Sequence, residues 1–151
     1  MEVRDLAEVQ AIEVRSFPNP WHKSTFLGEI QNRSIAHPYV AEAEAGAGII
    51  GYIMFWLIRD EAQVNNIAVH PEWRGRGVGE RLMRFALDMV RGLDGSFVTL
   101  EVRRSNSSAV ALYEKLGFTL MGVRKGYYQN PADDALVLGL DLSAGRVGPA
   151  Q

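Results

Sequence analysis

The clearest periodic pattern in the chain begins directly after a cluster of glycines. Apolar residues recur there at i, i+4, i+7, i+8, i+11 and i+12, so they share one face of a helix: Val78, Leu82, Phe85, Ala86, Met89 and Val90. Gly92 follows and can end such a helix. The pattern predicts an amphipathic helix from Val78 that packs against a core.

Two weaker helical patterns precede this one. Apolar residues at helical spacing predict a first helix from about Leu6 to Arg15, with Asp5 and Glu8 as a capping box. Only Met1 to Arg4 remain for a strand before it, which leaves one edge of the sheet uncertain. A short second helix is expected around three further apolar residues: Phe26, Leu27 and Ile30.

The hydrophobic pattern changes between the second and third predicted helices. Segments rich in β-branched and aromatic residues predict three strands: Tyr39 to Glu44, Ile49 to Arg59 and Glu61 to Val69. The short connections favour an antiparallel meander. His70-Pro71 ends the third strand, because proline cannot donate a hydrogen bond to a neighbouring strand.

Strand and helix signals alternate again in the last third of the chain. Residues 97–103 alternate as a strand, and one face would carry Phe97, Thr99, Glu101 and Arg103. Ser105 can cap a following helix that Gly117 ends, with four inward side chains: Ala109, Leu112, Tyr113 and Leu116. Phe118 to Arg124 and Ala135 to Leu142 then predict a final strand pair around the loop KGYYQNPADD.

These elements predict a mixed α/β (α+β) fold with a largely antiparallel central sheet flanked by helices. A chain of 151 residues fits one domain, which we place at residues 1–142. Residues 143–151 have no periodicity and are expected to form a disordered tail.

Composition and charge remove several classes of function. Sixteen basic against 18 acidic residues give 16 − 18 = −2, so no global positive field favours nucleic acid. Cysteine is absent, which excludes disulfides, thiolate metal sites and cysteine nucleophiles, and the 3 scattered histidines argue against a metal.

The sequence also argues against a membrane protein. The most apolar run, Ile49 to Ile58, contains Gly51 and is far shorter than the roughly 20 residues that span a bilayer. The first residues carry acids and no apolar segment of the secretory type. We therefore expect a cytoplasmic protein, with a monomer as the simplest oligomeric state.

The junction before the long helix combines Gly75, Gly77 and Gly79 with Arg74 and Arg76. A helix N-terminus presents unpaired N–H groups and attracts anions, and glycines let the backbone approach a ligand closely. The alternative is a simple strand-to-helix turn with solvated arginines. If a phosphate binds here, neither common nucleotide motif describes the turn: counted from Gly75 as the first, the sixth position is Glu80 and not glycine, and no Gly-Lys-Ser/Thr occurs.

The pattern that does match is Arg-x-x-Gly-x-Gly, formed by Arg74, Gly77 and Gly79 where the segment NNIAVHPEWRG ends. Here the chain resembles the GNAT superfamily of acyl-CoA N-acyltransferases. The resemblance extends over nearly the whole chain, and LEVRRSNSSAVALYEKLGF followed by GYYQNPADDALVL is similar to its RimI branch, which acetylates protein N-termini.

This resemblance implies a GNAT fold that uses acetyl-CoA and no metal. The cofactor contacts it implies are Ile67, Ala68, Val69, Arg74, Gly75, Arg76, Gly77, Val78, Gly79, Glu80, Asn106 and Tyr113. By themselves, residues 67–69 would be an ordinary buried strand and Asn106 an ordinary helix cap.

The resemblance also implies catalytic roles: Glu101 would be the general base and Tyr113 the general acid. Taken alone, a glutamate on a strand is usually a surface residue, and a tyrosine at helical spacing usually belongs to the core. Four aromatic residues in two loops would hold the acceptor: Phe17, Trp21, Tyr127 and Tyr128. Such aromatics can equally pack on their own domain.

The sequence therefore predicts transfer of an acetyl group to a protein N-terminal amine, with a ribosomal protein that begins with alanine as the expected acceptor. Other acceptors stay open, namely a lysine or a small-molecule amine. A non-catalytic acyl-CoA sensor is a further alternative, although such a module has no need for Glu101 and Tyr113 together. A nucleic-acid-binding module is disfavoured by the net charge.

Overall fold

A six-stranded sheet forms the centre of the molecule in the computed structural model, which describes residues 1–46 and 48–143. The strands are β1 (Ala36–Glu42), β2 (Ile49–Ile58), β3 (Glu61–Val69), β4 (Phe97–Arg103), β5 (Thr119–Tyr128) and β6 (Asp133–Asp141). Their order in the sheet is β1-β2-β3-β4-β6-β5. Every neighbouring pair is antiparallel except β3 and β4. The predicted mixed, mostly antiparallel sheet is confirmed.

Helices pack on both faces of this sheet. They are α1 (Leu6–Ser16), α2 (Lys23–Gln31), α3 (Val78–Gly92) and α4 (Ser107–Lys115). Tyr52 of β2 belongs to a core cluster with α1 and α2, whereas its neighbour Ile53 belongs to a second cluster with α3 and α4. Successive strand residues point to opposite faces, so one buried strand supports both cores.

The parallel pair β3–β4 opens along its length. Pairing runs only from Glu61 opposite Phe97 to Val64 opposite Leu100. The register between β2 and β3 skips Asn65, which is the pattern of a β-bulge. Because a bulge bends its strand, β3 turns away from β4 beyond this point and leaves one of its edges unpaired with that neighbour.

Two strand boundaries differ from the sequence prediction by three residues or more. β1 begins at Ala36 rather than Tyr39. β5 continues to Tyr128, so Tyr127 and Tyr128 lie in a strand and not in the predicted loop. An irregular register between Arg124 and Tyr128 interrupts the alternation that would have marked this part as strand.

Two predicted caps are wrong. The carboxylate of Glu8 accepts a hydrogen bond from the N–H of Ile49, at 2.9 Å, and takes no part in a capping box of α1. Ser105 does not cap α4, because its hydroxyl donates to Asp133 at 2.6 Å. Asn106 is the N-cap.

The chain begins without a strand. Residues Val3–Asp5 form a short 3-10 helix, and the amino group of Met1 donates to the carbonyl of Pro38 at 2.9 Å. Strand β1 is therefore an edge of the sheet, and Pro38 is tolerated there because an edge strand needs fewer backbone donors.

Among the described residues, no helix is long and apolar enough to cross a membrane. The same residues contain no group of three or more His, Cys, Asp or Glu side chains placed to hold a metal ion. Of the tail predicted at 143–151, the structure describes Ser143, whose N–H donates to Asp141. Residues 144–151 lie outside the described residues.

Candidate active site

A cleft of about 380 Å³ opens where β3 and β4 separate. The end of α1, the segment that follows it, both strands, α4 and the β5–β6 turn contribute to its walls. Seven of the residues predicted to bind or catalyse line it: Phe17, Trp21, Ile67, Glu101, Asn106, Tyr113 and Tyr128. Residues far apart in sequence are thus brought to one opening.

Glu101 lies on β4 at the point where the pairing with β3 has ended. Its Oε2 is 2.6 Å from Nη1 of Arg124, and its side chain is 22% exposed. The hydrogen bond from Arg124 to this carboxylate raises the pKa of the arginine, whose guanidinium also lies 4.4 Å from the ring centre of Tyr127. Glu101 is therefore held in one orientation by a cation and still reaches the solvent of the cleft.

Tyr113 approaches the cleft from α4. It is 6% exposed and packs edge-on against Phe118, with 5.9 Å between ring centres. Burial, followed by the proximity of Tyr128, raises the pKa of Tyr113 to about 12. Its hydroxyl consequently stays protonated at neutral pH and can donate a hydrogen bond to a group in the cleft.

The glycine turn adopts a backbone conformation that few other residues tolerate. Gly75 has φ 77° and Gly77 has φ 83°, both in the left-handed region. A Cβ at either position would meet no atom within 4 Å, so the requirement is conformational and the outer side of the turn is open. At Gly79 a Cβ would lie 3.7 Å from Val69 and 3.8 Å from Leu112, which is ordinary contact.

The helix after this turn begins without a side-chain cap. Gly77 is the N-cap of α3 and provides no side-chain hydrogen bond to the first turn. The N–H groups of Val78, Gly79 and Glu80 are those that an α-helix leaves without intrahelical partners. They form a ready site for an anion such as a pyrophosphate.

The two arginines of the turn contact the protein itself. Arg74 donates from Nε to the carbonyl of Val69 at 3.1 Å and from Nη2 to the hydroxyl of Ser16 at 3.0 Å. Arg76 lies 4.8 Å from the ring centre of Trp73. Arg74 therefore braces the end of β3, and both arginines place positive charge beside the turn.

The side chain of Glu80 is also engaged. Its carboxylate pairs with Lys115 at 2.7 Å and with Arg84 at 2.9 Å, and the hydrogen bond from Lys115 is the main cause of its lowered pKa. A contact from Glu80 to an anion would accordingly come from its backbone N–H.

The last residues of β3 present backbone to the open side of the sheet. Ile67, Ala68 and Val69 pair with β2 along one edge, opposite Ile53, Tyr52 and Gly51. Their pairing with β4 has ended, so the other edge is available to an extended ligand. Such a ligand could continue the sheet as an added strand does.

Asn106 caps α4 and also lies on the cleft. Its Oδ1 accepts from the N–H of Ala109 at 3.3 Å. Its predicted contact with the cofactor stays a prediction.

Of the four predicted acceptor aromatics, three border the cleft and one does not. Phe17 and Trp21 line one wall, and Tyr128 lines the other under the guanidinium of Arg103, at 4.4 Å. Tyr127 lies outside the cleft and is 47% exposed.

The two walls touch. Asn19 Nδ2 donates to the carbonyl of Gln129 at 2.9 Å. Arg103 donates to the carbonyls of Pro131, at 2.8 Å, and Gln129, at 3.3 Å. Hydrogen bonds therefore connect the segment after α1, the β5–β6 turn and β4 around the mouth of the cleft.

The polar residues of the cleft that the sequence prediction missed include Glu13, Asn65 and Asn66. Signals for them exist. Two consecutive asparagines are unusual inside a strand, since asparagine is depleted there. Glu13 occupies the position four residues after Val9 and thus falls on the apolar face of its helix.

Comparisons with known proteins agree with this geometry. A Bacillus subtilis (strain 168) protein, provisionally named a ribosomal protein bS18-alanine N-acetyltransferase, is 38% identical over 95% of this chain and 93% of its own length. The Salmonella typhimurium enzyme named for the same activity is 33% identical, over 95% of each chain. The crystal structure of the ribosomal-protein-S18-alanine N-acetyltransferase from Escherichia coli superposes with a TM-score of 0.85 at 30% identity, over 94% of this chain and 90% of that one.

The sequence profile of the acetyltransferase (GNAT) family matches residues 6–118. This range contains the glycine turn, the separating strands and both predicted catalytic residues. The chain therefore belongs to the acetyltransferase (GNAT) family.

Proposed function

We propose that this chain transfers the acetyl group of acetyl-CoA to the α-amine of a protein N-terminus, and that its acceptor is a ribosomal protein that begins with alanine. Relatives named for that activity match 95% of the chain. The observation that carries the proposal is the cleft between the separated strands, which Glu101 and Tyr113 both line.

Acetyl-CoA is the donor, and the protein holds it largely by backbone groups. The N–H groups at the start of α3 bind the pyrophosphate, and the open backbone of Gly75 and Gly77 lets it approach. The free edge of Ile67–Val69 pairs with the pantetheine arm. An N–H of this edge receives the thioester oxygen as negative charge develops there. Asn106 contacts the cofactor from the start of α4.

Glu101 acts as the general base. The amine attacks the thioester carbon, and its proton passes to the Glu101 carboxylate directly or through a water molecule. The ion pair with Arg124 fixes the direction of this carboxylate. Its partial exposure leaves room for the water.

Tyr113 acts as the general acid toward the departing sulfur. An ordinary thiol has a pKa of about 8.5, so full proton transfer from a phenol near 12 is uphill by roughly 3.5 units, or about 5 kcal/mol. We therefore propose that Tyr113 first stabilises the transition state by donating a hydrogen bond to the sulfur as negative charge develops there. The proton that leaves the amine finally replaces the one given to the thiolate, with solvent between them.

The ionisation of amines favours an N-terminal acceptor. An α-amine with a pKa near 8 is roughly one-tenth neutral at pH 7, a cost of about 1.4 kcal/mol. A lysine near 10.4 costs about 4.6 kcal/mol before it can attack. One carboxylate with a water relay suits the first case better.

The shape of the mouth supports the same choice. The hydrogen bond between Asn19 and Gln129 joins the two walls, and Trp21 and Tyr128 line them. A chain end can enter a bridged opening of this kind, whereas an internal lysine would have to bring the chain on both of its sides to the mouth.

We further propose that the protein works in the cytoplasm, where acetyl-CoA and new ribosomal proteins meet, and that residues 1–142 act as a single domain. One continuous sheet supports the second proposal. We take the monomer as the active form.

The test uses peptides that begin with alanine, serine or methionine and carry an internal lysine, each with a free or a blocked N-terminus. We expect turnover with acetyl-CoA on the free peptides, fastest with alanine, and none on the blocked ones. Acetylation that persists on blocked peptides would assign the enzyme to lysine or another amine. Binding of acetyl-CoA without turnover on any amine would make it a sensor.

A further inference from the structure

A carboxylate that the proposed reaction does not use is buried beside the cleft. Glu13 lies on α1, is 1% exposed and contributes to the cleft wall. Its Oε1 accepts from the hydroxyl of Tyr52 and from Nδ2 of Asn66, the latter at 2.9 Å. Its Oε2 accepts from the N–H of Trp21 at 2.8 Å. Each partner belongs to a different segment of the chain.

Packing alone does not account for this residue. Taking a carboxylate out of water is costly unless hydrogen bonds replace its hydration, and an apolar side chain of similar size would fill the space without that cost. Within the described part of the chain, the ion pairs do not include Glu13. Among the described residues, the hydrogen-bond donors to Glu13 are all neutral. The carboxylate therefore matters for the positions in which it holds these donors.

The donors it holds belong to opposite sides of the reaction. Trp21 lies in the segment that forms the acceptor wall. Asn66 follows the bulge of β3, where the strand no longer pairs with β4. The residues after Asn66 present their free backbone edge to acetyl-CoA in the proposed reaction. One carboxylate therefore sets the distance between the acceptor wall and the donor strand.

We propose that Glu13 is a positioning residue for acceptor binding. It fixes the backbone at Trp21 against Asn66, so that the bound amine meets the thioester carbon. This inference rests on the proposed function of the cleft, since it concerns the acceptor of that same reaction.

The test compares two isosteric substitutions of buried glutamates. In Glu13→Gln the new amide group points a donor at one of the existing donors. We expect the KM for an alanine-initiated peptide to rise roughly tenfold to a hundredfold, the factor expected when a hydrogen bond to a charged group is lost. The Kd for acetyl-CoA should change less than about twofold, because the glycine turn is not touched.

Glu29→Gln is the matched control. Glu29 is 9% exposed and accepts from Nε1 of Trp56 at 3.0 and 3.2 Å, away from the cleft. We expect it to lower Tm as Glu13→Gln does and to leave the peptide KM unchanged. Equal loss of Tm in both variants with an unchanged peptide KM in Glu13→Gln would overturn the inference.

A double variant should restore the hydrogen bond between positions 13 and 66 with donor and acceptor exchanged. In Glu13→Gln combined with Asn66→Asp, the NH2 of the new amide donates to the new carboxylate and its carbonyl oxygen accepts from the N–H of Trp21. The hydroxyl of Tyr52 can turn to accept from the same NH2. We expect the peptide KM to recover most of its increase. If the single variant does not fold, the double variant and Asn66→Ala carry the comparison, and a peptide KM near that of the unaltered protein in Asn66→Ala would contradict the proposal.

Hydrogen exchange separates this inference from the proposed function. Exchange at the N–H of Trp21 should accelerate in Glu13→Gln, because a neutral amide oxygen is a weaker acceptor than a carboxylate and the amide no longer holds Asn66 beside it. Exchange there should remain slow in Glu29→Gln, whether or not any peptide is a substrate. Faster exchange in a protein that acetylates no N-terminus would reject the proposed function and retain the positioning of the wall. Unchanged exchange would reject the positioning itself.

Discussion

The donor side and the acceptor side of the cleft differ in whether backbone or side-chain groups are expected to contact the ligand. The donor side consists of the end of β3 and the glycine turn, residues 67–80, where the groups proposed to hold acetyl-CoA are mainly backbone N–H and carbonyl groups. The acceptor side consists of residues 17–21 and 128–131, where side chains and rings form the surface and hydrogen bonds tie one segment to another.

This contrast explains what each side can recognise. Coenzyme A is the same molecule for every member of the family, and a backbone site depends on conformation more than on side-chain identity. An acceptor differs from enzyme to enzyme, so side chains on loops are the natural place for its selection. Substitutions should therefore separate donor binding from acceptor binding, with Glu101 and Tyr113 acting between them.

The largest effect is expected where the two sides meet. Glu101→Gln removes the proposed base and keeps the size of the side chain, so kcat/KM for the peptide should fall about 10²-fold to 10⁴-fold. The Kd for acetyl-CoA, measured by calorimetry, should stay the same. A loss of acetyl-CoA binding in this variant would place Glu101 on the donor side.

The raised pKa of Tyr113 should make the free energy of unfolding fall at high pH. Its pKa is raised to about 12 in the fold, against about 10 in the unfolded chain, so the fold keeps a proton that the unfolded chain loses. Its contribution to the free energy of unfolding is complete below pH 10 and is lost as the pH rises toward 12. The pKa difference of about 2 units corresponds to a loss of roughly 2.7 kcal/mol.

Denaturant unfolding between pH 9 and 12 measures this slope. The raised pKa of Tyr52 contributes in the same direction, so the comparison must be made against Tyr113→Phe. We expect the variant to lose less stability over that range. Identical slopes would mean that Tyr113 is not buried as described.

A substitution at Gly77 should weaken the binding of acetyl-CoA without affecting the acceptor side. Gly77→Ala forces a side chain into φ 83°, which costs about 1–2 kcal/mol, and it adds a methyl group to the open turn. We expect about a tenfold weaker acetyl-CoA affinity with an unchanged kcat at saturation. Gly92→Ala is the control, because a Cβ there meets no atom and the φ is not positive. Equal acetyl-CoA affinities in both variants would argue against the turn as the pyrophosphate site.

The two neighbouring tyrosines should behave differently on the acceptor side. Tyr128→Leu removes a ring from the cleft, so the peptide KM should rise about threefold to tenfold. Tyr127→Leu should leave it nearly unchanged, because that ring packs on Arg124 outside the cleft. The reverse order would show that the peptide runs over the outer surface of β5.

The smallest effect is expected at Glu80. Glu80→Gln removes charge from the contacts with Lys115 and Arg84 and preserves the backbone N–H. Acetyl-CoA affinity should therefore change by less than about twofold. A strong loss would mean that the donor side depends on side chains after all.

The sequence allowed the donor side to be predicted more fully than the acceptor side. Helix α3 and the glycine turn are local features, since helical spacing and a need for positive φ can be read from neighbouring residues. The sequence offers both Ser105 and Asn106 as caps of α4, and only the distant Asp133 decides between them.

The acceptor side depends on contacts between residues far apart in the chain. Tyr128 points into the cleft because β5 continues past an irregular register, which hydrophobic alternation does not reveal. Glu13 is satisfied by donors 8, 39 and 53 residues away, so its role is visible only after folding. Such pairings are set by the tertiary structure.

One measurement tests the central claim most directly. Ribosomal protein S18 with a free N-terminal alanine is incubated with acetyl-CoA and the enzyme, with Glu101→Gln as the control, and tandem mass spectrometry locates the new acetyl group. We expect it on the α-nitrogen of the first residue, and only with the unaltered enzyme. Acetyl groups on lysines, or an S18 that stays unmodified while another amine is acetylated, would contradict the account.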